Sequence, residues 1–381
     1  MKETEILAKD YRSGQYIRST LVDGKIAGFM PASSASKDIY IAPGLTDLQV
    51  NGYNGIDLNS EALTVSDIEA MTFSLLKSGV TSYFATIITN SKQAISTILK
   101  TIAEARKKSA IVNSCLEGIH LEGPFISPED GPRGAHDSNY IIAPDWDIFC
   151  GWQEDSENHI KLITLSPEWP NSAGFIQNCV KSGVKVSIGH TNASPQQIRE
   201  AVEAGASLST HLGNGAHLML PRHENYIWEQ LAAEQLWLSF ITDGFHLPDA
   251  MIKVFLKAKN PNCFLVSDTT SFAGLKPGVY TTHIGGKVNL SEDGRLSLHS
   301  NPALLAGAAK SLVGCVNHLL EKSILPLAEA WDLASIKPKE YLYDKPAKPF
   351  TEGSPADLVI FSIENNKIKI EQTLKNGENM L

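Results

Sequence analysis

The chain has 381 residues, 43% of them hydrophobic and 20% charged, with a formal net charge of −9. That length fits one large domain with a small appendage, and the acidic balance speaks against nucleic-acid binding, which needs a basic face. Cys115, Cys150, Cys179, Cys263 and Cys315 are scattered without a Cys-x-x-Cys pair, which excludes a disulfide framework or Cys-rich zinc site as a natural reading and favours a reducing cytoplasm.

In chain order, MKETEILAKDYRSGQ is polar and lacks the apolar core of a signal peptide. No later run approaches the ~20 apolar residues of a membrane helix. Within the first 44 residues, YIRSTLVDGKIAGF carries an Asp23-Gly24 hairpin signal. The middle alternates short apolar segments with amphipathic ones. CLEGIHLEGPF, HIKLITLSPE, VKVSIGHTNAS, ASLSTHLGNG, LWLSFITDGFH and CFLVSDTT read as strands with polar ends, and SPQQIREAVEAGA and PDAMIKVFLKAKN as helices. This alternation predicts parallel βαβ units, close to eight in number, and so an α/β fold with a (β/α)8 TIM barrel. No Gly-rich dinucleotide or P-loop element follows these strands. At the C-terminus, Leu358–Phe361 and Lys367–Glu371 read as strands, so the two ends are expected to meet in one small β domain. The division expected is 1–44 with 346–381 for that domain, and 45–345 for the barrel.

Catalytic groups of a TIM barrel sit at the C-terminal ends of its strands. Those ends carry Glu122, His190, His211, Asp243, His246 and Asp268. Glu122, His190 and His211 supply one carboxylate and two imidazoles, a donor set that suits a divalent metal such as zinc and leaves a position open for water. Zn, Fe, Mn and Co all accept it. For Asp268 two readings stand: a helix N-cap ahead of Thr269 and Thr270, or a general base beside the metal.

APGLTDLQVNGYNGIDLN (42–59), GIHLEGPFISP (118–128), SIGHTNAS (187–194), THLGNGAHLM (210–219) and VSDTT (266–270) resemble the strand ends of the amidohydrolase superfamily, in the order and spacing of its deacetylases of N-acetyl amino sugar phosphates. GSPADLVIF near the C-terminus resembles the family's return into a small β-sandwich. The resemblance implies that Glu122, His190 and His211 hold the metal and that Asp268 is the catalytic acid and base. Gln49-Val50-Asn51 replaces the usual His-x-His, which implies one metal ion per chain. The resemblance also implies that His136 lies near the acetyl group or sugar, Asn214 and Gly215 in the loop that meets the ligand, and His246 at a position that helps bind sugar phosphate. Arg222 stands where the family often has a phosphate-binding arginine, which a neighbouring subunit can supply, so a homodimer is implied.

The implied reaction is hydrolysis of the acetamide of N-acetylglucosamine 6-phosphate, giving acetate and the free amine. A related amidohydrolase acting on another acetylated sugar or a cyclic amide, and a non-catalytic sugar-binding barrel, are the alternatives. The departures lie in the substrate loop. His211-Leu-Gly-Asn-Gly-Ala-His217 replaces His-Leu-x-Asn-Ala-Met, His223 and Glu224 follow, and Thr269 replaces Ala after Asp268.

Overall fold

A computed structural model describes residues 3–34, 37–282 and 286–380. Residues 1, 2, 35, 36 and 381 of the expected terminal domain lie outside them.

Eight parallel strands form the central sheet, neighbours in chain order: Leu45–Val50, Val80–Ile88, Leu116–Glu122, Ile160–Leu165, Lys185–Ile188, Leu208–Ser209, Trp237–Phe240 and Cys263–Leu265. The first and last meet just past the end of the eighth. Val50 bridges Thr269, whose carbonyl accepts from the amides of Asn51 and Gly52 at 2.8 and 3.1 Å. Lower down, buried Asp47 accepts from the Ser267 amide. The strands are buried on both faces, hence their continuous apolar runs.

Each crossover helix is set by its cap and its stripe. Thr64 and Asp67 close a capping box at the start of Val65–Lys77, and Ile68, Met71, Thr72, Leu75 and Leu76 bury the helical face. Ser194 and Gln197 do the same for Pro195–Glu203, with proline at its first turn. Both amphipathic stretches read from the sequence are helices, Pro195–Glu203 and Asp249–Lys259.

The ends of the chain share one seven-stranded sheet, ordered Glu378–Asn379, Lys367–Lys375, Leu358–Glu364, Tyr40–Pro43, Glu3–Asp10, Tyr16–Val22 and Lys25–Pro31. Asp23 (φ 48°) and Gly24 (φ 78°) make the foreseen hairpin turn. The sheet folds over a core that includes Ala8, Leu21, Ile26, Ile41, Leu358 and Leu374. Lys25 bridges Pro355, and a Cβ on Gly24 would meet the Asn376 carbonyl at 2.3 Å, so this approach requires glycine. Trp331, on the helix Leu327–Tyr343, joins sheet to barrel. Its indole N–H donates to the Pro43 carbonyl and its ring stacks on Phe361.

One unit was not foreseen. Gly278–Thr282, Gly286–Leu290 and Leu296–Leu298 form a small antiparallel sheet after the eighth barrel strand, over Val288, Leu290, Leu296 and Ala309. No helix among the described residues is long and apolar enough to cross a membrane.

Candidate metal and catalytic centre

The centre assembles where the barrel strands end. Glu122 closes the third strand, His190 and His211 lie just past the fifth and sixth, and Asp268 just past the eighth. Glu122, His190 and His211 are buried and Asp268 is half-buried. His190, His211 and Asp268 hold φ values of 48°, 26° and 51°, a left-handed conformation that costs on the order of 1–3 kcal/mol at each non-glycine residue. The barrel imposes these turns, and each swings its side chain into the mouth.

Three donor atoms converge. Glu122 Oε1 lies 3.2 Å from His190 Nε2 and 2.9 Å from His211 Nε2, and the two imidazole nitrogens are 3.2 Å apart. His190 Nδ1 lies 2.8 Å from the Pro132 carbonyl, which only accepts, so Nδ1 carries hydrogen. The neutral His190 ring therefore turns an Nε2 lone pair toward a carboxylate oxygen and a second imidazole nitrogen. A cation at their meeting point relieves that clash, and the carbonyl-anchored histidine is the usual support for a metal ligand. The donor set fits a divalent metal. Without one, protons serve. Burial alone would lower the His211 pKa, but the bond and charge of Glu122 outweigh it and raise it to about 8. Burial would raise the Glu122 carboxyl, yet the bonds from His190 and His211 hold it well below its usual range.

His136 completes the cluster. Its ring packs edge-on to His190 with centroids 4.5 Å apart, and a donor atom of Glu122, His136 and His190 each lies within 4.8 Å of the others. His136 Nδ1 bonds Thr89 Oγ1 at 2.8 Å. Burial, followed by the neighbouring His190, pushes the His136 pKa down to about 3, so the ring is neutral. His211 Nε2 lies 2.9 Å from the same Glu122 oxygen that His190 Nε2 approaches at 3.2 Å, and we take Glu122, His190 and His211 as the tighter set.

Glycines make room. A Cβ on Gly215 (φ 58°) would stand 2.6 Å from His190 Nδ1 and 3.0 Å from the Pro132 carbonyl oxygen, and one on Gly134 3.3 Å from His190 Cε1. Asn214 donates to the His211 carbonyl from both its backbone and its side-chain nitrogen, at 3.0 and 3.1 Å.

Asp268 starts no helix, which removes the capping reading: bridges to Val50 and Ala308 follow it instead. Its Oδ1 accepts from Asn51 Nδ2 at 2.7 Å. Burial, with the charge of Glu122 adding to it, pushes its pKa up to about 6, against the opposing pull of His211, His246 and Asn51. A carboxyl poised there exchanges protons near neutral pH. His246 is held by Asp243, Nδ1 to Oδ2 at 2.7 Å, and Asp243 also caps the amides of Phe245 and His246. Burial would raise the Asp243 carboxyl, but His246 holds it low.

The amides replacing His-x-His serve the carboxylates. Gln49 Nε2 donates to Glu122 Oε1 at 2.9 Å, and Asn51 donates to Asp268. Beneath them His120, at the foot of the site, begins a chain of hydroxyls through Thr164 and Thr210 to Ser187. Burial lowers the His120 pKa to about 4. Arg222 alone of the sequence-derived residues stands apart: it is exposed and has no hydrogen-bond or ion-pair partner among the described residues. Sequence reasoning missed His120, Thr89 and the Pro132 carbonyl. His120 carried a signal, two residues before Glu122 on one strand and so facing the same side. The other two carried none.

Residues 40–380 match the amidohydrolase family, and the chain belongs to that family. Within it, the chain is 32% identical to the N-acetylglucosamine-6-phosphate deacetylase of Bacillus subtilis (strain 168) over 333 residues, 86% of this chain and 82% of that protein. The crystal structure of N-acetylglucosamine-6-phosphate deacetylase from Pasteurella multocida superimposes with a TM-score of 0.85 at 26% identity, covering 99% of both chains. The enzyme of the same name from Thermotoga maritima gives 0.83 at 26% identity, over 100% of this chain and 99% of that one.

Proposed function

We infer that this amidohydrolase hydrolyses the acetamide of N-acetylglucosamine 6-phosphate to glucosamine 6-phosphate and acetate. The hydrolytic reading is carried by one observation: three lone-pair donors meet within 3.2 Å of one another in a site that also holds the half-buried Asp268 carboxyl. The choice of sugar phosphate draws on the substrate named for the relatives.

Glu122, His190 and His211 hold the metal. When bound, a divalent cation lowers the pKa of water beside it and polarises the acetamide carbonyl. Asp268 accepts the proton of the attacking water and returns it to the departing nitrogen as the C–N bond breaks. Asn51 keeps that carboxyl oriented. With Thr89 donating to its Nδ1, His136 keeps hydrogen on Nε2 and donates it to the carbonyl oxygen as negative charge grows. Asn214, Gly215 and His246 line the sugar side, and Arg222 takes the phosphate through a bidentate fork.

We also propose zinc as the metal, one ion per chain, and a homodimer in which Arg222 of one subunit serves the other. The five free cysteines fit a cytoplasmic location. The domain division is proposed at 44/45 and 345/346. A neutral acetylated sugar is the second reading, favoured by the exposure of Arg222, which stands apart from the centre. Acetate release across N-acetylated sugars with and without a 6-phosphate decides between them. We expect the phosphorylated glucosamine derivative to lead by at least about tenfold in kcat/KM, the weight of one charge-assisted contact. Equal rates on the neutral sugar favour the second reading, and no acetate from any of them defeats both.

A further inference from the structure

The segment 128–135 supplies the Pro132 carbonyl that fixes His190, and it leads into His136. It contains no helix or strand. Its inner bonds are local: Arg133 to Asp130, the Arg133 amide to the Glu129 carbonyl, and the Gly134 amide to the Gly131 carbonyl. Nothing in that list fastens the turn to the barrel. Among the described residues, one bond between side chains leaves the segment, from Glu129 Oε2 to His217 Nε2 at 3.3 Å.

His217 is itself well anchored. Its backbone amide donates to the Tyr226 hydroxyl at 2.9 Å, and its Nδ1 lies 3.1 Å from the same oxygen. Tyr226 is buried in the first turn of the helix Tyr226–Ala232. One neutral tautomer satisfies every group: Nε2–H donates to Glu129, and Nδ1 accepts from the tyrosine O–H. The backbones of the two loops also touch. A Cβ on Gly131 would meet His217 Cα at 3.1 Å, and one on Gly215 would meet both Pro132 and His190. A displacement of the Pro132 turn therefore reaches the His190 ring with no slack between them.

We propose that His217 is a positioning residue, a clasp that holds the Pro132 turn on His190 and so sets how tightly the site retains its metal. This rests on the reading of Glu122, His190 and His211 as metal ligands. His217 belongs to the stretch where the chain departs from the family's usual loop, so the clasp is a property of this sequence.

The test is zinc affinity of the full-length protein, measured by competition with a chromogenic chelator, for wild type, His217→Ala, Glu129→Ala and the double variant. Glu129 lies toward solvent, so its replacement cuts the same bond without disturbing Tyr226. Groups that orient a metal ligand are worth 10–100-fold in affinity, and one step removed we expect each single variant to bind zinc about tenfold more weakly. The double variant should be no weaker than the singles, because both changes remove one bond. Singles within twofold of wild type overturn the clasp, and so does a double variant whose loss is the product of the two. A wild type without affinity for zinc overturns the metal reading, and the clasp with it.

Discussion

The floor and the rim of the barrel mouth are held in opposite ways. At the floor, Glu122, His190 and His211 are buried and Asp268 is half-buried, each is bonded to a neighbour, and three of them sit on constrained strand-end turns. At the rim, Leu218 and Met219 are 98% and 88% exposed, and Arg222, His223 and Glu224 are exposed as well. The difference separates two tasks. Bond cleavage needs groups fixed before the substrate arrives, and the barrel spends backbone strain and buried polar bonds to fix them. Selection of the sugar is left to loops that the core does not constrain.

That contrast can be broken at its strongest point first. Asp268→Asn removes the proton acceptor and leaves Glu122, His190 and His211 untouched. Turnover should fall about 10³-fold with zinc content unchanged, as parallel kinetics and elemental analysis would record, and a variant of near-normal kcat would remove Asp268 from the chemistry. Gly215→Ala sits on the boundary between the two regions. Its Cβ has no room beside His190 Nδ1 and its φ of 58° disfavours a side chain, so zinc affinity should drop 10- to 100-fold. An alanine variant binding zinc normally would mean that the loop yields and that the floor is softer than described.

Asn51→Ala deletes one charge-assisted bond to Asp268, worth about 1.5 kcal/mol or more, and should lower kcat roughly tenfold. The bond favours the ionised carboxylate, so its loss raises the Asp268 pKa. In the proposed mechanism ionised Asp268 is the active form, and the acid limb of the kcat profile should therefore move to higher pH. A limb that stays put or moves down would show that Asn51 does not act through that carboxylate. The smallest effect belongs to the rim. Arg222→Ala should raise KM for the 6-phosphate substrate up to about tenfold, with kcat and the neutral sugar little changed. Equal effects on both sugars would assign Arg222 a structural part instead.

The sequence was legible where one residue type at one register carries the meaning. Polar residues closing apolar strands marked Glu122, His190, His211 and Asp268, and the Asp23-Gly24 pair marked its hairpin. Partners across the barrel were not legible. Gln49 meets Glu122 and Asn51 meets Asp268 over 73 and 217 residues of chain, and no local pattern encodes such pairings. A backbone carbonyl such as that of Pro132 leaves no trace in residue identity at all. The sheet at 278–298 escaped notice because its strands are short, and the last has only three residues, too few for alternation to stand out. From local residue pattern alone Asp268 stood open between two readings; the family resemblance implied the acid and base, and the structure adds that no helix follows it.

The central claim is that one metal ion, held by Glu122, His190 and His211, serves deacetylation of the sugar phosphate. Titration of zinc into metal-free protein, with acetate release from N-acetylglucosamine 6-phosphate as the readout, tests it directly. The account predicts activity that rises linearly and breaks at about one zinc per chain, the count set by a single donor set. A break at two, or acetate release that ignores zinc, would contradict it.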